Sequence, residues 1–416
     1  MAQRTITSVS GRSFVGFGFG PIQTGLMLCE AVASGSFGRY TVAEVDQKLV
    51  DAVRANGNAA TINIAATDGI RTKTLSCIRL CNPGVPADRE ELVAAIRVSE
   101  EMATAVPSVT MYSMGGRASI SALIADGLST GRQRIIYTAE NDNYAAEKLE
   151  RELAGVGARL DGSGLQILNT VIGKMSGLIS SQREMKELGL SPLVPGFDKC
   201  VLVEEFNRIL VSRVKLPAFV RGIQVFEEKD DLLPFEEAKL YGHNAIHALL
   251  GFLARLRGYS VMSDIRKDPR LLDLGRRAFL EESGVALRKK YGGEGVDPLF
   301  TPQGWTAYAE DLLQRMTNPW LHDRVERIIR DPLRKLGWND RLFGTMRVAL
   351  EHGVEPRAMA LGAAAALSYA QETHAGASPP REMLEKIWSG DAAGAYSEEC
   401  IQLVLEALER LREWKT

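Results

Sequence analysis

Three side chains of complementary chemistry fall close together in the run Lys239-Leu-Tyr-Gly-His243-Asn244-Ala-Ile-His247. A lysine can carry a proton, an asparagine amide can donate to a developing oxyanion, and an imidazole can hold a hydroxyl. On a regular helix, at about 100° per residue, Asn244 lies about 140° and His247 about 80° from Lys239, so the three share one broad face. The apolar run Ala248-Leu-Leu-Gly-Phe-Leu-Ala254 then carries the helix into a core. Two plainer readings stay open on spacing alone. Lys239 can be a solvated charge above a satisfied core histidine, or His243 and His247 can be a metal pair at i, i+4. No glutamate follows His243 and no cysteine lies nearby, so no metal is expected. A free lysine, with a pKa of about 10.4, is neutral only about once in 2,500 molecules at pH 7. A lysine base therefore needs that value lowered by about two to three units.

A second constellation lies near the start. The short apolar run Phe14-Val-Gly-Phe17 meets Gly18-Phe-Gly20-Pro-Ile22-Gln23-Thr-Gly25, and Leu26-Met-Leu-Cys-Glu-Ala-Val-Ala33 follows with helix-forming composition. Glycines between a strand and a helix let a pyrophosphate approach the backbone at the helix's positive end. Counted from Gly16, the third position of a GxGxxG motif is Pro21; counted from Gly18, it is Gln23. The second phase places Ile22 and Gly25 sensibly, which makes Gly18, Gly20, Ile22, Gln23 and Gly25 the candidate cradle. Glu44 closes the next β-rich run, Tyr40 to Asp46, 19 residues after Gly25. A carboxylate there can accept from ribose hydroxyls and repels a 2′-phosphate, which favours NAD over NADP.

The elements around these residues alternate. Thr74–Leu80, Met102–Val106 and Arg134–Ala139 read as strands, Asp88–Glu100 and Tyr144–Ala154 as helices, the latter capped by Asp142 or Asn143. Alternation of this kind implies a doubly wound, mostly parallel sheet with ligands at the carboxyl ends of its strands, where Asn141 falls. From about Asp230 strand signals stop. Helical patterns dominate, broken at Tyr291-Gly-Gly-Glu-Gly295 and at Gly376-Ala-Ser-Pro-Pro380 and ending in a stripe of Ile401, Val404, Leu408 and Leu411. The expected architecture is a Rossmann-like α/β domain over residues 1–230 followed by an all-α domain over 231–416.

Composition narrows the function classes. With 50 Lys+Arg against 52 Asp+Glu the net charge is -2, which gives no basic footprint for nucleic acid. The longest apolar runs, Ala245–Ala254 and Met359–Leu367, fall short of the ~18 residues of a membrane span. Arg12, the apolar stretch to Leu28 and Cys29 could suggest a lipoprotein signal, but four glycines and a proline dilute it and Leu28 is too large for the cleavage position. Five cysteines cannot form a disulfide framework. The expectation is a cytoplasmic protein, monomeric or a small homo-oligomer, with a small-molecule partner.

Taken together these residues resemble the polyol-specific long-chain dehydrogenases. The resemblance covers nearly the whole chain: the Gly18–Gly25 loop, Val42-Ala-Glu44-Val-Asp46, Glu140-Asn141, Asn169-Thr-Val, Lys239-xxxx-Asn244-xx-His247, Arg315-Met-Thr-Asn318-Pro319 and Arg330-Asp-Pro-Leu-Arg334-Lys335-Leu. It implies metal-free hydride transfer with NAD, with Lys239 as general base, Asn141 and Asn244 stabilising the alkoxide, and His247 and Arg315 holding substrate oxygens. The branch it looks most like interconverts mannitol 1-phosphate and fructose 6-phosphate, for which Arg334, or its neighbour Lys335, is the candidate phosphate contact. Two features depart from the pattern. Gln23 stands where that branch has glycine, and Gly173-Lys174 replaces an Asp-Arg pair. The alternatives are a related dehydrogenase of an unphosphorylated polyol or sugar acid, and a nucleotide-binding sensor that has kept only the scaffold.

Overall fold

In the computed structural model, which describes residues 11–129, 131–374, 378–389 and 394–415, chain contacts divide the protein into Met1–Leu232 and Leu233–Thr416. The first unit is built on β1 (Ser13–Phe17), buried along its whole length. Its side chains alternate between faces: Phe14 enters one apolar core, Val15 and Phe17 the other. β2 (Arg39–Ala43) and β6 (Glu101–Thr104) flank it in parallel, and β5 (Ile78–Cys81), β7 (Arg134–Thr138) and β8 (Leu165–Val171) extend the sheet on either side. The order β5-β2-β1-β6-β7-β8 reverses direction at β1, and short strands β11 (Leu210–Ser212) and β12 (Glu227–Lys229) complete the far edge, β11 antiparallel to β8.

Helices cover both faces. α1 (Cys29–Ser34) and α2 (Gln47–Ala55) contribute Ala31, Leu49, Val50 and Val53 to the core that holds Phe14. α3 (Pro86–Val98), α4 (Ile120–Gly127) and α5 (Ala145–Gly155) contribute Leu92, Ile96, Leu123, Ile124, Leu149 and Leu153 to the other. The doubly wound, mostly parallel sheet expected from the alternation of strands and helices is therefore present.

Two local expectations are corrected. Thr74–Leu80 is not one strand. Cys77 takes a left-handed conformation (φ 61°) and turns the chain between β4 (Ile70–Leu75) and β5. β4 belongs to a separate four-stranded sheet, β4-β3-β10-β9, with β3 (Ala60–Ala65), β9 (Ser176–Ile179) and β10 (Cys200–Glu204). The cap of α5 is also not Asp142 or Asn143. The residue before its first turn is Tyr144, and it offers no side-chain bond. Asn169 reaches from β8 instead, accepting from Ala146 N (2.9 Å) and donating to Glu147 (2.9 Å), while Asp142 accepts from Tyr144 N.

The second unit is helical. Its central α6 (Ala245–Leu256) packs against the long α8 (Arg357–Thr373), and α7 (Pro302–Met316) lies beside Ala278–Ser283. Trp305 and Tyr308 of α7 stack edge-on against Phe279. The stripe of the last helix, Ser397–Arg410, has Ile401 and Val404 buried. Of the expected 376–380 break, residues 376 and 377 lie outside the described residues. No described helix is long and apolar enough to cross a membrane.

The buried start of α8 has a borrowed cap. Glu282 accepts from Ala358 N (2.6 Å) and Met359 N (2.9 Å). Burial raises its pKa to about 7, against the lowering by those two amides. A carboxyl whose folded value lies above its unfolded one binds protons more tightly when folded. Its contribution to stability is therefore greatest below about pH 4.3 and is lost as pH rises through about 7. Glu282→Gln is expected to flatten this part of the stability–pH curve. Thermal melts of both proteins between pH 5 and 8 check it.

Candidate active site

At the carboxyl ends of β1, β2, β6 and β7 the first unit opens a cavity of about 750 Å³, lined among others by Gly18, Gly20, Ile22, Glu44, Val106 and Asn141. Four of the five loop positions singled out by spacing can be given distinct physical roles. Gly18 has φ 84°, and a Cβ there would meet Ala105 O at 2.8 Å. A Cβ on Gly20 would meet nothing within 4 Å, so the loop is open on that side. Gln23 and Gly25 do not line the cavity. A Cβ on Gly25 would strike Val203 Cγ1 at 2.4 Å, so this glycine lets the helix lie against β10. Gln23 is fully buried, and its amide fills the space that a Cβ on Gly16 would need, at 2.3 Å. The larger residue at the third position is thus accommodated by a glycine in β1, at the cost of an amide with no hydrogen-bond partner among the described residues.

Glu44 ties the loop to the second strand. Its two carboxylate oxygens accept from Phe19 N (3.0 Å) and Asp46 N (2.8 Å). A carboxylate offers about four acceptor positions, so capacity remains for ribose hydroxyls. Val45 and Met114, both well exposed, stand at the cavity with apolar surface suited to a planar base. The opposite wall is set by Glu140, buried and accepting from Thr104 Oγ1 (2.9 Å), Val106 N (3.0 Å) and the Tyr112 hydroxyl. Burial raises its pKa, opposed by these donors. This network fixes the turn that presents Asn141. An open glycine loop, a helix start and a bonded acid at the end of β2 fit a dinucleotide.

In the second unit Lys239, Asn244 and His247 lie on one continuous helical stretch, but not at the expected angles. Ala238–Asn244 is a π-helical turn that passes into α6. Its hydrogen bonds span five residues rather than four, so each residue turns the chain by less than 100° and Lys239 and Asn244 come closer to one face than on a regular helix. The offset of about 140° expected for a regular helix is therefore reduced. His247 follows Asn244 by three, on the same face of α6. Packing forces the wide turn. A Cβ on Gly242 would lie 2.9 Å from Phe279, and Tyr308 donates to Ala238 O (3.5 Å).

Lys239 is half-buried, and desolvation followed by the positive charge of Arg341 pulls its pKa down to about 8, with Glu236 opposing. His243 beneath it is held well below its ordinary value by burial and then by His247, Arg315, Lys239 and Arg341. These five basic residues therefore share one electrostatic neighbourhood. Arg315 also bonds Asp311 (3.1 Å). Arg334 is exposed on the short helix Pro332–Lys335, whereas Lys335 is buried and donates to Arg330 O. Burial, Arg341 and Arg334 lower the Lys335 pKa to about 8. Arg341 and Asp323, which contacts His247, went unnoticed in the sequence. They follow Lys239 by about 100 and 80 residues, and no local pattern links them to it.

Residues 231–410 match the mannitol dehydrogenase C-terminal domain. The second unit is therefore similar to that domain, and the whole chain shares the fold of solved sorbitol and mannitol dehydrogenases. The chain is 28% identical over 404 residues to mannitol-1-phosphate 5-dehydrogenase of Exiguobacterium sibiricum, covering 96% of this chain and 95% of the relative. Among solved structures it superposes on D-sorbitol dehydrogenase in substrate-free form with a TM-score of 0.76 at 14% identity, covering 97% of this chain and 94% of the other. It also superposes on Pseudomonas fluorescens mannitol 2-dehydrogenase, in ternary complex with NAD and D-mannitol, with a TM-score of 0.70 at 15% identity, covering 99% and 94%.

Arg341→Gln is expected to let the Lys239 pKa climb above about 8 by removing the positive charge that, after burial, lowers it most. Titration of ¹³C-labelled lysine side chains by NMR, with Lys239→Met to assign the signal, checks the direction.

Proposed function

We propose that the chain is an NAD-dependent polyol dehydrogenase that interconverts mannitol 1-phosphate and fructose 6-phosphate, with Lys239 as the general acid/base. The observation that carries the reading is the lysine with a pKa of about 8 that shares a π-helical turn with Asn244. At that value about one molecule in ten is neutral at pH 7, against about one in 2,500 for a free lysine.

NAD, when bound, supplies the acceptor for the hydride leaving the carbinol carbon. Gly18, Gly20 and Ile22 would hold its pyrophosphate, and Glu44 would accept from its ribose. Neutral Lys239 takes the hydroxyl proton as the alkoxide forms, and returns it in the reverse direction. The Asn244 amide donates to that oxygen; the family resemblance adds Asn141 as a second donor. Loss of one such donor costs about 10²–10³ in rate. His247 and Arg315 hold further substrate oxygens. For the phosphate, Arg334 is the exposed candidate and Lys335, beside Arg341, the buried one.

A second reading, an unphosphorylated polyol or sugar acid, is favoured by one observation. Where the family carries Asp-Arg, this chain has Gly173-Lys174, and Lys174 donates to the Phe206 carbonyl (2.6 Å).

NADH oxidation with fructose 6-phosphate and with fructose decides between them. The expected result is a strong preference for the phosphate, abolished by Lys239→Ala, with the fructose 6-phosphate KM raised at least tenfold in Arg334→Ala or Lys335→Ala. Activity on fructose alone selects the second reading. Binding of NADH without turnover on any polyol or sugar acid leaves only a sensor. Glu44→Ser is expected to weaken discrimination against NADPH, read as the ratio of kcat/KM for the two cofactors.

A further inference from the structure

We propose that Asp323 is a positioning residue for His247: its buried carboxylate holds the Nε2–H edge of the ring, fixes the tautomer and leaves Nδ1 as the nitrogen that meets a substrate hydroxyl. The proposal rests on the assignment of His247 to the polyol site. His247 Nε2 lies 2.9 Å from Asp323 Oδ2, with side-chain exposures of 12% and 1%. The pair falls outside hydrogen-bond geometry and neither atom has another partner among the described residues, so the contact is electrostatic, the carboxylate charge against the ring's N–H dipole. The other oxygen, Oδ1, accepts from Arg327 Nε (2.9 Å) and Nη2 (2.6 Å). Burial opposes ionisation of Asp323, but His247 and Arg327 prevail and hold its pKa below the usual carboxylate range.

The backbone under the carboxylate is pinned. His322 sits in the left-handed region (φ 48°), a conformation uncommon for non-glycine residues. Asp323 O accepts from Met262 N (2.8 Å), and Val325 N donates to Ser260 O (3.0 Å). A fixed anion against one ring nitrogen determines which nitrogen carries the proton in the neutral imidazole. The other nitrogen is then an acceptor, suited to a hydroxyl proton that an imidazole free to change tautomer would meet only part of the time.

The chain has five histidines, so their ¹⁵N signals are separable, with His247→Gln assigning one of them. The first measurement is the tautomer of His247 in the wild type, with Asp323→Asn beside it. The expected wild type carries its proton on Nε2. Asp323→Asn, whose amide can donate to the ring, shifts the proton toward Nδ1. With that shift kcat/KM for the polyol falls about 10–100-fold, the size of loss typical when a partner behind a functional histidine is removed. The KM for NADH stays unchanged. Asp323→Glu, which keeps the charge, recovers part of the loss. A wild-type His247 protonated on Nδ1 overturns the proposal. So does Asp323→Asn with an unchanged tautomer, whether activity stays within twofold or falls only with thermal stability. If Asp323→Asn does not fold, the wild-type tautomer and Asp323→Glu still decide. A tautomer shift in a protein whose wild type turns over no polyol separates the outcomes: the positioning stands and the polyol reading fails.

Discussion

The proposed chemistry depends on keeping a lysine ammonium away from water. An exposed lysine is too basic to take a proton at neutral pH, and about two units of pKa correspond to nearly 3 kcal/mol of differential destabilisation of its charged form. The second unit supplies this by half-burying Lys239 and placing Arg341 in its field, with Glu236 opposing. The cost falls on the surrounding packing. The aromatic cluster of Phe279, Trp305 and Tyr308 holds the backbone in a wide turn, and Gly242 is the residue small enough to lie against it. His243 is kept neutral by the same burial and the same cations. A cationic neighbourhood of this kind lowers a lysine pKa and favours an anionic substrate. One arrangement therefore serves both halves of the proposed chemistry.

The first unit meets a different constraint, which is to let backbone approach a charged ligand without leaving polar groups stranded. Gly18 needs its left-handed conformation, Gly20 leaves open space, and Glu44 satisfies Phe19 N while remaining able to accept more. The substitution at the third position shows how such a motif tolerates change. Gln23 occupies volume that glycine would leave empty, and Gly16, two residues before Gly18, is what makes room for it. The motif is thus a volume balance between a strand and a helix as much as a pattern of glycines.

Much of this was legible in the sequence because it is local. The alternation of apolar strands and helices forecast the parallel sheet, and of the residues picked out by spacing Gly18, Gly20, Ile22 and Glu44 line the cavity of the first unit whereas Gln23 and Gly25 do not. Lys239, Asn244 and His247 were recognisable as a group. What was not legible depends on contacts distant in sequence. The π-turn arises from packing against Phe279 and Tyr308, so a regular-helix angle misplaced Asn244. The cap of α5 comes from Asn169 on the next strand rather than from the residues beside the helix. The separate sheet joins β3 and β10, about 140 residues apart, and the single left-handed Cys77 that splits Thr74–Leu80 carries no signal in its residue type. Asp323 and Arg341 were invisible for the same reason: neither lies near Lys239 or His247 along the chain.

The most direct test of the central claim is the pH dependence of kcat/KM for mannitol 1-phosphate oxidation at saturating NAD. A neutral base with a pKa of about 8 predicts a rate that rises about tenfold per pH unit below that value and levels off above it, and this dependence should vanish with the activity in Lys239→Ala. A rate that keeps rising to pH 10, or a profile with no ionisation near 8, would contradict the account of Lys239 as a desolvated base.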